Sequence, residues 1–284
     1  MALYWTVSGP VEVHTGREWS LFEWADRCAE ARRVGFAGLG IWHADLEHLL
    51  ETQTLADLNR TFRDAGLERL ELEFLMDWFL DEDDERRRES DRMRALLFEA
   101  AGVLGPHHIK VGNIPGTPCE PARLNESFGE LCAAAAEHTD TRIAYEFMPF
   151  DVNVRTVDQA LAVVDGVGPN GGIAIDTWHM AKLDIAPDEL RRIPRERLAW
   201  VELSDGTRES RPDLADETIN HRHLPGEGEF DVRSYIDACL DQGYTGPWGV
   251  EVLSDELRNN PIDVIFTRAY QATASQFEHE RSSA

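Results

Sequence analysis

Short apolar runs recur along this chain, and most are followed by a stretch with apolar residues at helical spacing. The runs at Leu3–Ser8, Gly38–Trp42, Leu70–Met76, Ile109–Asn113, Ile143–Met148, Ile173–Asp176, Ala199–Leu203 and Gly249–Leu253 read as strands. Helical patterns cover Trp19–Arg33, Thr54–Ala65, Arg87–Val103, Ala122–Glu137, Val157–Val164 and Val232–Gln242. A final helix is expected over Pro261–Phe277, with Pro261 suited to a first-turn position. Strand-then-helix alternation with eight strands in 284 residues points to a single α/β domain, a (β/α)8 TIM barrel. An open, doubly wound sheet is the structural alternative. No strand is followed by its usual phosphate-binding signatures, GxGxxG or a Walker motif. No Pro/Gly/Ser linker splits the chain, so residues 1–277 form one unit, and the polar residues 278–284 are expected to fray.

Charge narrows the function classes. The chain carries 53 acidic and 28 basic residues, a formal net charge of −25. Such a surface repels phosphate backbones and anionic membranes, so neither nucleic acid nor membrane is an expected partner. Apolar runs stay below the ~18 residues of a membrane span. The N-terminus lacks the basic and apolar regions of a signal peptide. Four cysteines lie far apart with no CxxC pair, which fits reduced thiols in a cytoplasmic protein. The acidic and basic run Asp81–Asp91 reads as the opening of a solvated helix.

The chemistry lies at the strand ends. Four candidate strands carry a carboxylate in similar context: Ile-Ala-Tyr-Glu146, Ile-Ala-Ile-Asp176, Trp-Val-Glu202-Leu and Gly-Val-Glu251-Val. Side chains alternate along a strand. Ile143, Tyr145, Ile173, Ile175, Val201, Leu203, Val250 and Val252 share one parity and suit the helix-facing side. The four carboxylates share the other parity and would converge inside the barrel at its C-terminal rim. A single strand-end glutamate is often paired to an arginine. Four in phase on consecutive strands would repel and be costly to desolvate, and a bound divalent cation resolves that conflict. Oxygen donors favour a hard ion such as Mn2+ or Mg2+. The 205–230 interval after the seventh candidate strand is long and polar, as functional loops often are.

At this point a family resemblance appears. Asp176-Thr177-Trp178-His179-Met180 resembles the Asp-Thr-x-His-Met segment of xylose-isomerase-like sugar isomerases and epimerases. Arg222-His223-Leu224-Pro225-Gly226-Glu227-Gly228 resembles their Arg-x-x-Pro-Gly-x-Gly loop. Glu146 and Glu251 fall where that family keeps paired metal-binding, catalytic glutamates. The likeness covers about half the chain; the first half matches in barrel rhythm only. One departure stands out. Where the family commonly reads His-x-Lys-Asp, this chain reads Glu202-Leu203-Ser204-Asp205. Glu202 at the ligand position would make the site all-oxygen, with a formal charge of about −2 around a divalent ion.

The resemblance implies a metal-dependent enzyme on a small sugar or polyol. Glu146, Asp176, Glu202 and Glu251 would hold one divalent ion, Mn2+ or Mg2+ first and Co2+ as a further candidate. Glu146 and Glu251 would act as the acid/base pair around an enediolate. His179 and Arg222 would contact substrate. Glu73, of interior parity, is a substrate contact or a buried ion pair, and His43 after the second candidate strand is a further candidate contact. Lys110, one of only two lysines, is a weaker catalytic candidate, since its rarity in an arginine-rich chain proves nothing. Trp5, Trp42, Trp78, Phe150 and Trp178 lie near strand ends, where aromatic walls suit a sugar face. His107 and His108 open a strand at the opposite rim and read as structural.

Isomerisation or epimerisation is the first expectation. Dehydration of a keto-polyol or dehydroshikimate-like acid by the same ligands is the alternative. An endonuclease-type phosphodiesterase would need a histidine-rich cluster and a basic face, which this chain lacks. A non-catalytic sugar-binding barrel would not need the intact glutamates. The superfamily often forms dimers or tetramers, so a homo-oligomer is compatible with this reading.

Overall fold

A computed structural model describes residues 1–11, 13 and 15–278. The 279–284 part of the expected fraying tail lies outside the described residues. Seven strands run parallel in chain order: β1 Gly38–Trp42, β2 Arg69–Leu75, β3 His108–Gly112, β4 Arg142–Glu146, β5 Gly171–Asp176, β6 Leu198–Leu203 and β7 Trp248–Val250. The barrel closes through the N-terminus. Ala2 bridges Leu39 of β1 and Val250 of β7, both in parallel. Ala2 N–H donates to Gly38 O at 3.0 Å, and Leu3 N–H donates to Val250 O at 3.1 Å.

The eighth staff of the barrel is therefore far shorter than the expected strand Leu3–Ser8. Tyr4–Val7 is instead a buried helical turn, α1. The reason is visible at β7. The Thr6 hydroxyl donates to Val250 O at 2.8 Å and accepts from Val252 N–H at 2.8 Å. One side chain thus satisfies the backbone groups that a longer strand would have paired.

The main helices follow the expected amphipathic segments: α2 Trp24–Val34, α3 Leu55–Asp64, α4 Glu85–Leu104, α5 Pro121–Ala136, α6 Val157–Val163, α7 Val232–Asp241 and α8 Ile262–Ser275. The exception is that α2 begins at Trp24 and not at the expected Trp19, whose segment to Glu23 is non-helical. Local chemistry fixes several starts. Thr54 and Asp57 form a reciprocal capping box on α3, and Asp84 caps α4. Short helices that sequence periodicity does not mark lie at the C-terminal rim: His43–Leu50 follows β1 and Thr177–Lys182 follows β5.

Strand alternation sorts the interior as expected. Ile143, Tyr145, Ile173, Ile175, Val201, Leu203, Val250 and Val252 all belong to the apolar core between sheet and helices. The other parity faces the barrel axis. Its lower end holds a small apolar plug of Met1, Leu3, Ala144, Ala174, Ala199 and Trp200. Above and beside this plug the axis is lined by charge. Gly40, Gly112 and Gly249 leave no room for a Cβ, which would lie 2.9 Å from Glu71, 2.8 Å from Phe74 and 2.6 Å from Trp200 respectively. These glycines make space for the large interior side chains.

Candidate metal centre and active-site pocket

The C-terminal ends of β4, β5, β6 and β7 deliver the four expected carboxylates to one place. Glu146, Asp176, Glu202 and Glu251 each offer an oxygen within 4.8 Å of the others, and all four residues are buried. Register explains the depth of each. Asp176 lies opposite Glu202, and Glu202 lies opposite Gly249, two residues short of Glu251.

His179 stands over this cluster, on the turn of helix that Asp176 caps by accepting from Trp178 N–H at 2.7 Å. Its Nε2 is 3.6 Å from Glu146 Oε1 and 3.5 Å from Asp176 Oδ2. Burial pushes its imidazole well below the usual range, with repulsion from Arg222 adding to the effect, so it stays neutral and able to donate a lone pair. Glu146, Asp176 and His179 also form a close trio of donors.

Arg222 is buried and reaches in from the long loop. Its Nη1 donates to Asp176 Oδ2 at 2.7 Å and lies 3.5 Å from Glu251 Oε2. Nε and Nη2 donate to the Thr218 hydroxyl at 3.2 and 2.8 Å, and the guanidinium stacks 4.8 Å from the Trp178 ring. The loop is tied down by Asp205. Its Oδ1 accepts from Gly206 N–H and Phe230 N–H at 2.8 and 3.0 Å, and Oδ2 accepts from Gly226 N–H at 2.9 Å. Gly226 has a positive φ of 85°, and a Cβ on Gly228 would lie 2.6 Å from Gly206 O. The Pro-Gly-x-Gly pattern thus records a turn folded tightly around one carboxylate.

Glu73 and His43 also reach the pocket. They line a cavity of about 170 Å3 together with Glu146, His179, Arg222 and Glu251. Both His43 ring nitrogens lack hydrogen-bond partners among the described residues, and burial brings its imidazole down to about 4. Trp5, Trp42, Phe74, Met148, Phe150 and Leu253 form the apolar wall. Trp78 and Trp178 do not line it: Trp78 packs on Phe79, Phe128 and Tyr145, while Trp178 supports Arg222.

Lys110 of β3 takes a central place that its sequence context does not signal. Its Nζ lies 2.7 Å from Glu202 Oε1, 2.7 Å from Glu251 Oε1 and 3.0 Å from Glu73 Oε2. Glu71 and His108 lie below, with His108 Nε2 2.9 Å from Glu71 Oε1. The alternation Leu70-Glu71-Leu72-Glu73 marks Glu71 as interior, since it shares parity with Glu73.

Electrostatics here are unbalanced. The buried carboxylates Glu71, Glu73, Glu146, Asp176, Glu202 and Glu251 face the cations Lys110 and Arg222. Burial pushes the Glu146 carboxyl up to about 8, against the pull of Lys110 and with added repulsion from Glu251 and Asp176. Burial likewise raises Glu73 and Glu202 well above the usual range. The donor set is mostly oxygen, with one imidazole, and Glu146 Oε1 has no hydrogen-bond partner among the described residues. These residues fit a divalent cation, which supplies the positive charge the cluster lacks.

Comparison with known proteins agrees with this architecture. Residues 28–271 match the family model described as xylose isomerase-like TIM barrel. A 3-dehydroshikimate dehydratase of Pseudomonas aeruginosa is 29% identical over 234 residues, covering 80% of this chain and 36% of that protein. The chain thus spans about a third of the length of that relative. Among solved structures, a xylose isomerase-like TIM barrel/4-hydroxyphenylpyruvate dioxygenase fusion protein superposes with a TM-score of 0.80 at 21% identity, covering 95% of this chain and 42% of that one. The IOLI protein with a bound zinc atom also gives 0.80, at 18% identity, covering 96% of both chains.

Proposed function

We propose that this chain, which belongs to the xylose isomerase-like TIM-barrel family, is a divalent-metal-dependent enzyme. It removes a proton from the carbon beside the carbonyl of a small hydroxylated substrate. One observation carries the reading: Glu146, Glu251 and His179 line a cavity of about 170 Å3 directly over a buried carboxylate cluster. Glu146, Asp176 and Glu251 would hold the ion, with Mn2+ or Mg2+ favoured by the oxygen-rich set. When bound, such an ion supplies Lewis-acid polarisation of the carbonyl and charge to offset a developing oxyanion.

This chain's residues do the remaining work. Glu251 and Glu146 both border the cavity, so one takes the proton as the other stands ready to give one. Burial holds the Glu146 carboxyl near 8 in the metal-free site. An ion resting on Glu146 would displace that proton, so the acid and base roles are shared between Glu146 and Glu251 without a fixed assignment. Arg222 and Lys110 line the cavity, where Arg222 is held by Asp176 and Thr218 and Lys110 by Glu73, Glu202 and Glu251, so they position and partly neutralise the carboxylates a substrate would meet. The apolar wall of Trp5, Trp42 and Phe150 excludes water from the reacting carbons.

The favoured outcome is loss of a β-hydroxyl as water from a cyclic hydroxy-keto acid of the 3-dehydroshikimate kind. The likeness to the Pseudomonas dehydratase supports it. A sugar or polyol isomerase or epimerase is the second reading. It is supported by the two carboxyl groups bordering the same cavity, where a proton taken by one could be returned by the other. A cytoplasmic setting suits four cysteines that all stay as free thiols.

The test is incubation of Mn2+-loaded protein with 3-dehydroshikimate, and separately with keto-sugars, in deuterated buffer. Water loss creates conjugation and a rise in ultraviolet absorbance. Epimerisation or isomerisation instead places deuterium on a substrate carbon without that rise. No proton exchange with any of these substrates would overturn the proposal.

A further inference from the structure

We propose that Lys110 and Glu202 form a built-in ion pair that takes residue 202 out of the metal-ligand set. A divalent ion then rests on Glu146, Asp176 and Glu251, with His179 beside them. The inference depends on the metal-dependent reading above and assigns a counter-charge to each of the four strand-end carboxylates.

Glu202 Oε1 is already occupied twice. It accepts from Lys110 Nζ at 2.7 Å and from the Trp200 indole N–H at 2.6 Å. Glu202 alone of the four strand-end carboxylates is also grouped with Glu71 and His108, each offering a donor atom within 4.8 Å of the others. Lys110 reaches the cavity wall, as do Glu146, His179 and Glu251, whereas Glu202 and Asp176 do not. An ion approaching from the cavity therefore meets Glu146, His179 and Glu251 first, and Asp176 is the deeper carboxylate that shares the His179 and Arg222 side with them.

The second oxygens separate the candidates further. Glu251 gives Oε1 to Lys110 but keeps Oε2 on the Arg222 side, 3.5 Å from Nη1, where Asp176 Oδ2 also lies. Glu146 Oε1 is unpartnered among the described residues and 3.6 Å from His179 Nε2. These free atoms cluster on the cavity side. For the four strand-end carboxylates the charges then balance: Lys110 offsets Glu202, while Arg222 and a divalent ion together offset Glu146, Asp176 and Glu251. Glu71 pairs with His108, and Glu73 lies 3.0 Å from the shared Lys110. Glu202 Oε1, held by both Lys110 and Trp200, would have to bridge an ammonium and a dication to bind the ion. Glu202 Oε2 is unpartnered among the described residues. It is disfavoured as a ligand by its place, because Glu202 lies off the cavity and within 4.8 Å of Glu71 and His108. The carboxylate at 202 and the lysine at 110 are thus two halves of one feature, and neither is explained without the other.

Mn2+ uptake measured by elemental analysis and titration calorimetry tests this. Wild type should take about one ion per chain, and Glu202→Gln should keep that stoichiometry with affinity within about threefold. Asp176→Asn and Glu146→Gln should each weaken binding by about 100-fold or more, beyond the usual effect of outer-shell partners. Loss of the ion in Glu202→Gln to the extent seen in Asp176→Asn, in protein of native circular dichroism, overturns the inference. The pair is also tested without metal, in chelator. Lys110→Met should lower the melting temperature markedly, and Lys110→Met/Glu202→Met should recover most of the loss. Additive melting shifts overturn the pairing. A wild type that takes up no ion defeats the metal-dependent reading instead, and the melting cycle then decides the pairing by itself.

Discussion

Glu146→Gln should make the metal-free protein more stable at neutral pH while removing its response to metal. The Glu146 carboxyl is raised from 4.5 to about 8, chiefly by burial. Between those values the folded state holds a proton that the unfolded chain has released. Stability therefore falls as pH rises through that window, because a raised carboxyl penalises the native state above the unfolded value. At 1.36 kcal/mol per pH unit, the penalty approaches about 3 kcal/mol at pH 7 and about 5 kcal/mol above pH 8. Little opposes it. Oε1 has no hydrogen-bond partner among the described residues, and Oε2 lies 3.9 Å from Lys110, beyond hydrogen-bond reach. Glutamine keeps the shape and removes the titration. For a chain of this size, about 3 kcal/mol corresponds to a rise in melting temperature of roughly 6 °C. The assay is thermal and urea unfolding in chelator from pH 4 to 8.5. Wild type and variant should coincide near pH 4 and diverge with the variant above. Addition of Mn2+ should then raise wild type alone. A variant less stable than wild type at pH 7 to 8, or a difference independent of pH, would refute the reasoning.

Other outcomes follow from the same geometry. Glu251→Gln should lower turnover by about 10²- to 10⁴-fold, the usual contribution of a general acid or base, in steady-state assays on the substrate found above. Asp205→Ala removes the acceptor for three backbone N–H groups and should destabilise by about 3 kcal/mol or more. Amide exchange at Gly206, Gly226 and Phe230 should quicken in that variant, and exchange no faster than wild type would contradict the clamp. Gly228→Ala should disturb the same turn, seen as a lower melting temperature, because the added Cβ meets Gly206 O at 2.6 Å. Metal uptake at pH 7 should release protons, since Glu146 is protonated in the free site. Calorimetry in buffers of different ionisation heat reads this directly, and a buffer-independent heat would refute it.

Much of this site is legible in the sequence because strand parity is a rigid code. One alternation rule placed Ile143 and Tyr145 against the helices and Glu146 inside, and it did so on four strands at once. The Pro-Gly-x-Gly turn was legible for a different reason: Gly226 and Gly228 are demanded by backbone geometry around Asp205. Lys110 was not legible. A lysine within an apolar strand looks the same whether its stem carries the charge to solvent or into a ring of carboxylates, and only the closed barrel decides. The N-terminal strand misled because Leu3, Tyr4, Trp5 and Val7 make a short apolar run, which suits a buried helical turn as well as a buried strand. The short helices at the rim escaped because each follows its strand with no intervening turn, so their residues read as the continuation of the strand and its loop.

The interior charge bears on how one cluster could serve either outcome of proton removal. Barrels are ordinarily filled by branched aliphatic layers. Here Ala144, Ala174 and Gly249 keep the middle narrow in bulk, and a lysine and six carboxylates take the space instead. Such a core is poor for stability, since each ionised carboxylate needs a partner that the protein alone does not fully supply. It is well suited to chemistry that must hold a proton on one carboxyl and leave its neighbour ionised. On the proposed reading, whether water departs or a proton returns to carbon turns on which atom of the substrate faces the carboxyl, Glu146 or Glu251, that gives up a proton. The Arg222 loop and the Trp5, Trp42 and Phe150 wall fix how a substrate sits over that carboxyl. Substrate choice therefore belongs to the pocket wall, and proton chemistry to the ring of charge beneath it.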